Sequence, residues 1–195
     1  FPAVLKGRIR LKANDSTNPV AVGDRVRFET QSEDLGEVTL TNPALVTEVL
    51  DRKNYVVRKS TNLSRQSHVI AANIDMAFAV VTLYFPEVKL PFLDRMLVTC
   101  EVYGVPVTIL LNKVDLYRKE APETIENFIN IYTKAGYNVV ETSAKTGEGI
   151  EELKKICDGK VCLFSGESGV GKSSLIKALD PTLDPKIGKI SVAHL

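Results

Sequence analysis

Apolar and polar residues fall into two patterns along this chain. Over residues 1–68 they alternate in short runs, at Leu5–Leu11, Arg25–Glu29, Val46–Leu50 and Tyr55–Arg58, separated by turn-forming clusters such as Asn14-Asp15-Ser16, Val22-Gly23-Asp24 and Thr41-Asn42-Pro43. A period of two marks strands with one buried face, and several short strands at this spacing predict a small antiparallel barrel or sandwich. Over residues 69–195, strand-like runs lie at Met76–Leu83, Val105–Leu111, Tyr137–Thr142 and Val161–Ser165. Helical spacing fills the intervals. Leu93 and Leu97, with Phe92, Met96 and Cys100, stripe a helix that begins near Pro91. Ile125, Phe128, Ile129 and Tyr132 stripe a second, with Gly136 as its stop, and Ile150, Leu153 and Cys157 stripe a third. Alternating strand and helix predicts a mostly parallel sheet covered on both faces. The Ser- and Asn-rich stretch Lys59–Ile74 reads as a linker.

Composition sharpens this division. The 195 residues carry 25 Lys+Arg and 24 Asp+Glu, with 44% hydrophobic residues, a globular average that leaves disorder, collagen and coiled coil as poor readings. The net charge of +1 separates into +3 over residues 1–68 (11 basic, 8 acidic) and −2 over residues 69–195 (14 basic, 16 acidic). No apolar run reaches the ~18–20 residues needed to span a bilayer, and Phe1 opens no signal-peptide pattern. Cys100, Cys157 and Cys162 have no metal-binding spacing and read as buried thiols of a reducing, cytoplasmic compartment.

The first chemical motif is Gly166-Glu167-Ser168-Gly169-Val170-Gly171-Lys172-Ser173, which fits G-x-x-x-x-G-K-[ST] between an apolar strand and the helical run Ser174–Leu179. Such a loop turns its backbone N–H groups inward as a nest for phosphate at a helix N-terminus. Lys172 would reach the β- and γ-phosphates and the Ser173 hydroxyl would ligate Mg²⁺, with Ser174 next in the loop. Kinases, ATPases and GTPases all share this motif, so it leaves the base and the reaction open.

Two further segments follow the ends of predicted strands. Asn112-Lys113-Val114-Asp115 offers a carboxylate able to accept from guanine N1–H and N2–H₂, a Lys113 stem that can lie along the base, and an Asn112 amide that can tie this loop to the phosphate loop. Thr142-Ser143-Ala144-Lys145 places the Ala144 N–H to donate to guanine O6. Each motif is weak alone. Together they sit at the carboxyl ends of consecutive parallel strands, where open α/β sheets bind ligands.

These residues resemble the guanine-nucleotide domain of P-loop GTPases with the motif order changed. The base motifs come first and the phosphate loop last, which is a circular permutation, tolerable because domain termini usually lie close together at the surface. With the basic β-module in front, the chain resembles the YjeQ/RsgA type of small ribosomal subunit biogenesis GTPase over nearly its whole length. The resemblance implies an OB-like β-barrel at 1–68, acting on RNA or the ribosome, and a permuted GTPase domain with a mostly parallel sheet at 69–195. It also implies GTP and GDP with Mg²⁺ as ligands, GTP hydrolysis in late small-subunit maturation, the small subunit and its rRNA as partners, and no membrane; nothing in the sequence demands an oligomer. In that family the residues from Asp180-Pro181 to His194 lead into the first switch, and a second-switch D-x-x-G and a zinc domain with Cys and His ligands follow. This chain carries no D-x-x-G, no convincing switch threonine (Thr182 lies too near the phosphate loop) and no zinc ligand set, so those parts are expected in residues outside it. No water-positioning group is evident, and the 195 residues alone are expected to turn over slowly.

Arg52, Lys53, Arg58, Lys59 and Arg65 stand without an intervening acid, with Tyr55 and His68 nearby. On a β-barrel this cluster suits a surface that tracks nucleic acid; it equally suits a charged strand edge that resists aggregation. A nucleotide-gated RNA-binding module with little catalysis and a P-loop ATPase or kinase are the alternative functions.

Overall fold

A computed structural model of the chain describes residues 2–7, 9, 18–30, 37–59 and 67–183. The chain divides into two units, Phe1–Ile74 and Asp75–Leu195. In the first, β1 (Ala3–Leu5), β2 (Val26–Glu29) and β3 (Ala44–Val49) form a sheet of order β1-β3-β2, and β4 (Tyr55–Lys59) pairs with β5 (Ser67–Ala72). Alternation puts Ala44 and Val46 of β3 and Val69 and Ala71 of β5 in the interior. The arrangement is OB-like, with two departures from the predicted pattern. β1 runs parallel to β3 rather than antiparallel to a neighbour, because alternation reports which face of a strand is buried and not which edge it joins. The stretch read as a linker holds β5, whose buried positions are filled largely by alanine while Ile70 stands 43% exposed, which inverts the usual strand signal. The unit boundary therefore falls at 74/75 rather than 68/69. The predicted run Leu5–Leu11 contributes only its first residue to β1, and the Asn14-Asp15-Ser16 turn lies outside the described residues.

Two polar clasps hold this unit. The buried Asn54 side chain donates to the Ile74 carbonyl and accepts from the Ile74 N–H, both at 2.8 Å. Arg52 donates from Nε and Nη2 to the two carboxylate oxygens of Asp24, each at 2.7 Å. Burial alone would raise the Asp24 pKa; the Arg52 hydrogen bonds, the Ala21 N–H and the guanidinium charge outweigh it and hold the carboxyl below its ordinary value. A depressed carboxyl contributes stability above its unfolded pKa and loses it as pH falls through the folded one. Asp24→Ala is expected to destabilise the protein by about 1–3 kcal/mol at neutral pH, and the difference from wild type should shrink below about pH 4, as read by denaturant unfolding across pH.

In the second unit, β6 (Met76–Val81), β7 (Val107–Leu111), β8 (Asn138–Glu141) and β9 (Cys162–Ser165) form a fully parallel sheet of order β8-β7-β6-β9. Helices α1 (Leu90–Val102), α2 (Pro122–Lys134) and α3 (Ile150–Cys157) make the crossovers, and α4 (Lys172–Leu179) follows β9. Successive side chains of β6 serve opposite layers. Ala79 and Val81 pack with Leu93 and Leu97 of α1 and Phe128 and Tyr132 of α2. Phe78 and Val80 pack with Ile150 and Leu153 of α3 and Leu175 of α4. Burial on both faces is why the run lacks alternation, and each such large side chain contributes about 1.5–3 kcal/mol. Pro91 stands in the first turn of α1, and Gly136, at φ 95°, follows the end of α2. Cys100 is buried, whereas Cys157 and Cys162 are only half-buried; burial pushes the Cys100 thiol up to about 11 and the Cys157 thiol up to about 12. No helix among the described residues is long and apolar enough to cross a membrane.

Candidate functional site

Strand order positions the site. The chain moves outward from β6 to β7 to β8, then α3 carries it back to the far side of β6 as β9. Crossovers thus diverge between β6 and β9, and a crevice forms at the carboxyl ends of these strands.

The phosphate loop leaves β9 directly into this crevice. Gly166 sits at φ 155°, and a Cβ there would lie 2.2 Å from the Val80 carbonyl oxygen, so only glycine lets the loop start against β6. Gly171, at φ 97°, caps α4, and a Cβ on it would stand 2.4 Å from Asn112 Nδ2. Buried Val170 roots the loop in the core, leaving Ser168 and Gly169 exposed at its rim. Lys172 Nζ donates to the carbonyls of Gly166 at 2.8 Å and Glu167 at 2.7 Å, which stretches the side chain back along the loop. Desolvation lowers its pKa, opposed by the nearby Glu167 charge. Ser173 is half-buried, and its hydroxyl has no hydrogen-bond partner among the described residues.

Asn112, 1% exposed, is the junction of the site. Its Nδ2 donates to the Val170 carbonyl at 2.8 Å, its Oδ1 accepts from the Thr142 hydroxyl at 3.2 Å, and its carbonyl accepts from the Tyr117 hydroxyl at 2.6 Å. One side chain thereby joins all three loops. Lys113, held at φ 62°, donates from Nζ to the Gly169 carbonyl at 2.6 Å and the Phe85 carbonyl at 2.7 Å. Asp115 Oδ1 accepts from the Ser143 hydroxyl at 2.6 Å, and the same hydroxyl oxygen accepts from the Thr146 N–H. Asn112, Lys113, Asp115, Ser143, Ala144, Lys145, Gly171 and Ser174, with Leu116, line one cavity of about 380 Å³, within the ~300–1,000 Å³ typical of small-ligand sites. Three sequence motifs that were separate in the chain therefore share one volume.

The RsgA GTPase family model matches residues 49–194. The chain belongs to the RsgA GTPase family. Over 190 residues it is 47% identical to the small ribosomal subunit biogenesis GTPase RsgA of Bacteroides fragilis, covering 97% of this chain and 59% of that relative. The Porphyromonas gingivalis protein of the same name is 46% identical over 189 residues, covering 97% and 58%. Among solved structures, YjeQ from Thermotoga maritima superposes with a TM-score of 0.69 at 36% identity, over 93% of this chain and 57% of that one. YloQ, described as a circularly permuted GTPase, gives 0.60 at 28%, over 91% and 55%. The chain spans less than two thirds of each of these relatives. The fold is that of the permuted GTPases of this family, joined to an OB-like β-unit.

Several contributors to the site carried no motif. Tyr117 packs edge-on against Tyr84, and burial pushes its hydroxyl well above the ordinary phenol range. Thr82 donates to the Pro86 carbonyl at 2.7 Å, and Lys89 pairs with Glu167 at 2.9 Å, so the connection after β6 braces the phosphate loop. An aromatic residue five positions after Asn112 was the one sequence signal available for any of them.

Among the described residues, the basic cluster of the β-unit spans the approach to β4 and β4 itself. Arg52 donates to both carboxylate oxygens of Asp24, so a phosphate would have to compete with two charge-assisted bonds to reach it. Lys53 lies just before β4, where its N–H donates to Asn73 Oδ1. Arg58 and Lys59 fall on β4 opposite His68 and Ser67 of β5. Arg65 and residues 184–195, the approach to the first switch, lie outside the described residues.

Proposed function

We propose that this chain binds guanine nucleotides, hydrolyses GTP, and serves the maturation of the small ribosomal subunit. The observation that carries the nucleotide reading is the single cavity shared by the phosphate loop and both base loops, with Asn112 bonded to each neighbour. Asp115 supplies the carboxylate that complements guanine N1–H and N2–H₂; adenine offers neither donor. Ala144 supplies a backbone N–H for guanine O6. The N–H groups at the start of α4 and the Lys172 ammonium oppose phosphate charge.

The exchange on binding follows from the geometry. Lys172 already lies along the loop with its ammonium at the Gly166 and Glu167 carbonyls, so a phosphate finds it extended and partly desolvated. A desolvated ammonium interacts strongly with an incoming anion and needs little reorganisation, which suits phosphoryl transfer by positioning and electrostatics. Ser173 presents an unengaged hydroxyl, a hard oxygen donor of the kind that would hold Mg²⁺. When bound, Mg²⁺ would supply charge neutralisation for the phosphates. Among the described residues no three His, Cys, Asp or Glu side chains gather as a metal site, and the zinc implied by the resemblance is proposed for the part of the longer relatives that this chain does not span.

Work on the ribosome, rRNA contact by the β-unit, a cytoplasmic location and a monomeric state complete the proposal. The names of the relatives support the ribosomal role, and the net +3 of residues 1–68 supports the RNA contact. Multiple-turnover GTP hydrolysis by the whole protein, with and without small subunits and with ATP as competitor, tests it: stimulation by subunits and exclusion of ATP are expected, and ATP turnover at equal efficiency would overturn the reading. For the β-unit, the double charge reversal Arg58→Glu with Lys59→Glu is expected to weaken subunit binding and to flatten its log–log salt dependence by about 1–2. An unchanged slope in a salt titration would remove β4 from the contact.

A further inference from the structure

Arg118 stands three residues beyond Asp115, just after the short 3-10 turn Val114–Leu116, and its backbone N–H donates to the Val114 carbonyl at 2.9 Å. Its side chain reaches across to the second base loop. Nη2 lies 2.9 Å from Glu141 Oε2 and also bonds Glu148 Oε1. Glu141 is the last residue of β8, immediately before Thr142-Ser143-Ala144-Lys145, and Glu148 follows that loop. One guanidinium from the Asp115 loop therefore grips both ends of the segment that carries the Ala144 N–H.

Three details make this more than a surface ion pair. Glu141 Oε2 is shielded from solvent and accepts no hydrogen bond among the described residues, so Arg118 is its counter-charge. The two carboxylates carry like charge and face one nitrogen, so removing the guanidinium leaves them to repel across the loop they flank. The loop is closed at the same place by backbone bonds, Ser143 N–H to the Glu148 carbonyl at 3.0 Å and Gly147 N–H to the Ser143 carbonyl at 2.9 Å, so displacement of Glu148 is transmitted to Ser143 and through its hydroxyl to Asp115.

We propose that Arg118 is a positioning residue that determines base specificity: by clamping Glu141 and Glu148 it fixes the separation between the Asp115 carboxylate and the Ala144 N–H, the two groups that must meet neighbouring positions along one edge of a guanine ring. Arg118 itself is not among the residues that line the cavity. The proposal rests on the guanine reading above.

The test is equilibrium competition on the full chain, displacing a fluorescent GDP analogue with GDP, ADP or inorganic pyrophosphate. Arg118→Met should lose about tenfold in GDP affinity, with ADP and pyrophosphate affinities unchanged, so that the GDP-to-ADP ratio collapses by the same factor. Arg118→Lys, which keeps a charge between the two carboxylates, should recover most of the ratio. A clamp with only a general structural role would instead weaken all three ligands alike, and that result, or a ratio preserved within about twofold, overturns the proposal. If Arg118→Met does not fold, Glu148→Gln at its exposed position releases one arm of the clamp; a ratio lowered in that variant supports the inference and an unchanged ratio overturns it. A wild-type chain that shows no preference for GDP over ADP brings down the guanine reading and the clamp with it, whereas preference in the wild type with an insensitive Arg118→Met sinks the clamp alone.

Discussion

Asp115→Asn is expected to shift the proposed base site from a preference for guanine towards xanthine nucleotides. The carboxylate presents only acceptors to a base edge, which suits the two donors of guanine. An amide presents one acceptor and one donor pair, which suits xanthine, where an oxygen replaces the exocyclic amine. The structure determines how that amide turns. The Ser143 hydroxyl donates to Asp115 Oδ1 at 2.6 Å and takes the Thr146 N–H on its own oxygen, so its proton is directed at position 115. The amide oxygen should occupy the Oδ1 position to keep that bond, leaving the NH₂ group to face the base. Sites that reject a ligand by leaving buried polar groups unpaired discriminate by up to about 10⁴-fold, so loss of guanine affinity and gain of xanthine affinity should both be large. Competition between GDP and XDP measures it, and an unchanged guanine preference would remove Asp115 from the base site.

Lys172→Met should abolish most phosphate-dependent affinity while sparing the fold. The ammonium is the phosphate loop's own cation, and truncating one partner of a desolvated charge pair costs about 2–5 kcal/mol, or roughly 30- to 5,000-fold in affinity. Stability should change little. The variant gives up two hydrogen bonds to the Gly166 and Glu167 carbonyls, yet it also removes a charge whose burial is unfavourable enough to lower its pKa. The contrast to measure by calorimetry is GDP against guanosine: GDP binding should collapse and guanosine binding persist. Equal loss of both would mean that Lys172 supports the cavity rather than the phosphate.

Legibility from sequence differed sharply between the two units. In the second unit, β6 and β7 bury both faces under helices, so their apolar runs could hardly be misread, and the strand and helix positions followed within a few residues. In the β-unit, β5 hid inside a Ser- and Asn-rich stretch because small alanines fill its interior and Ile70 faces out. The same contrast holds for side-chain roles. A glycine at 166 is required by the close approach of the Val80 carbonyl, and at 171 by the Asn112 side-chain amide and a positive φ, while the motif spacing already marks both positions. Arg52, by comparison, pairs with Asp24, 28 residues earlier, and no local pattern joins the two.

The sequence by itself determined the chemistry on offer: a glycine-lined anion nest with its lysine and serine, a carboxylate and a serine-alanine-lysine loop at strand ends, and their permuted order. Local backbone demands and periodic burial impose these choices, and both are written in neighbouring residues. Tertiary structure alone decided which groups meet. Asn112 reaches Val170 across 58 residues, Lys113 reaches Gly169 across 56, and Arg118 reaches Glu148 across 30. Periodicity records whether a side chain is buried, averaged over whatever surrounds it. It carries no address for a partner, and only the packing of the sheet β8-β7-β6-β9 brings those distant loops within hydrogen-bond distance of one another.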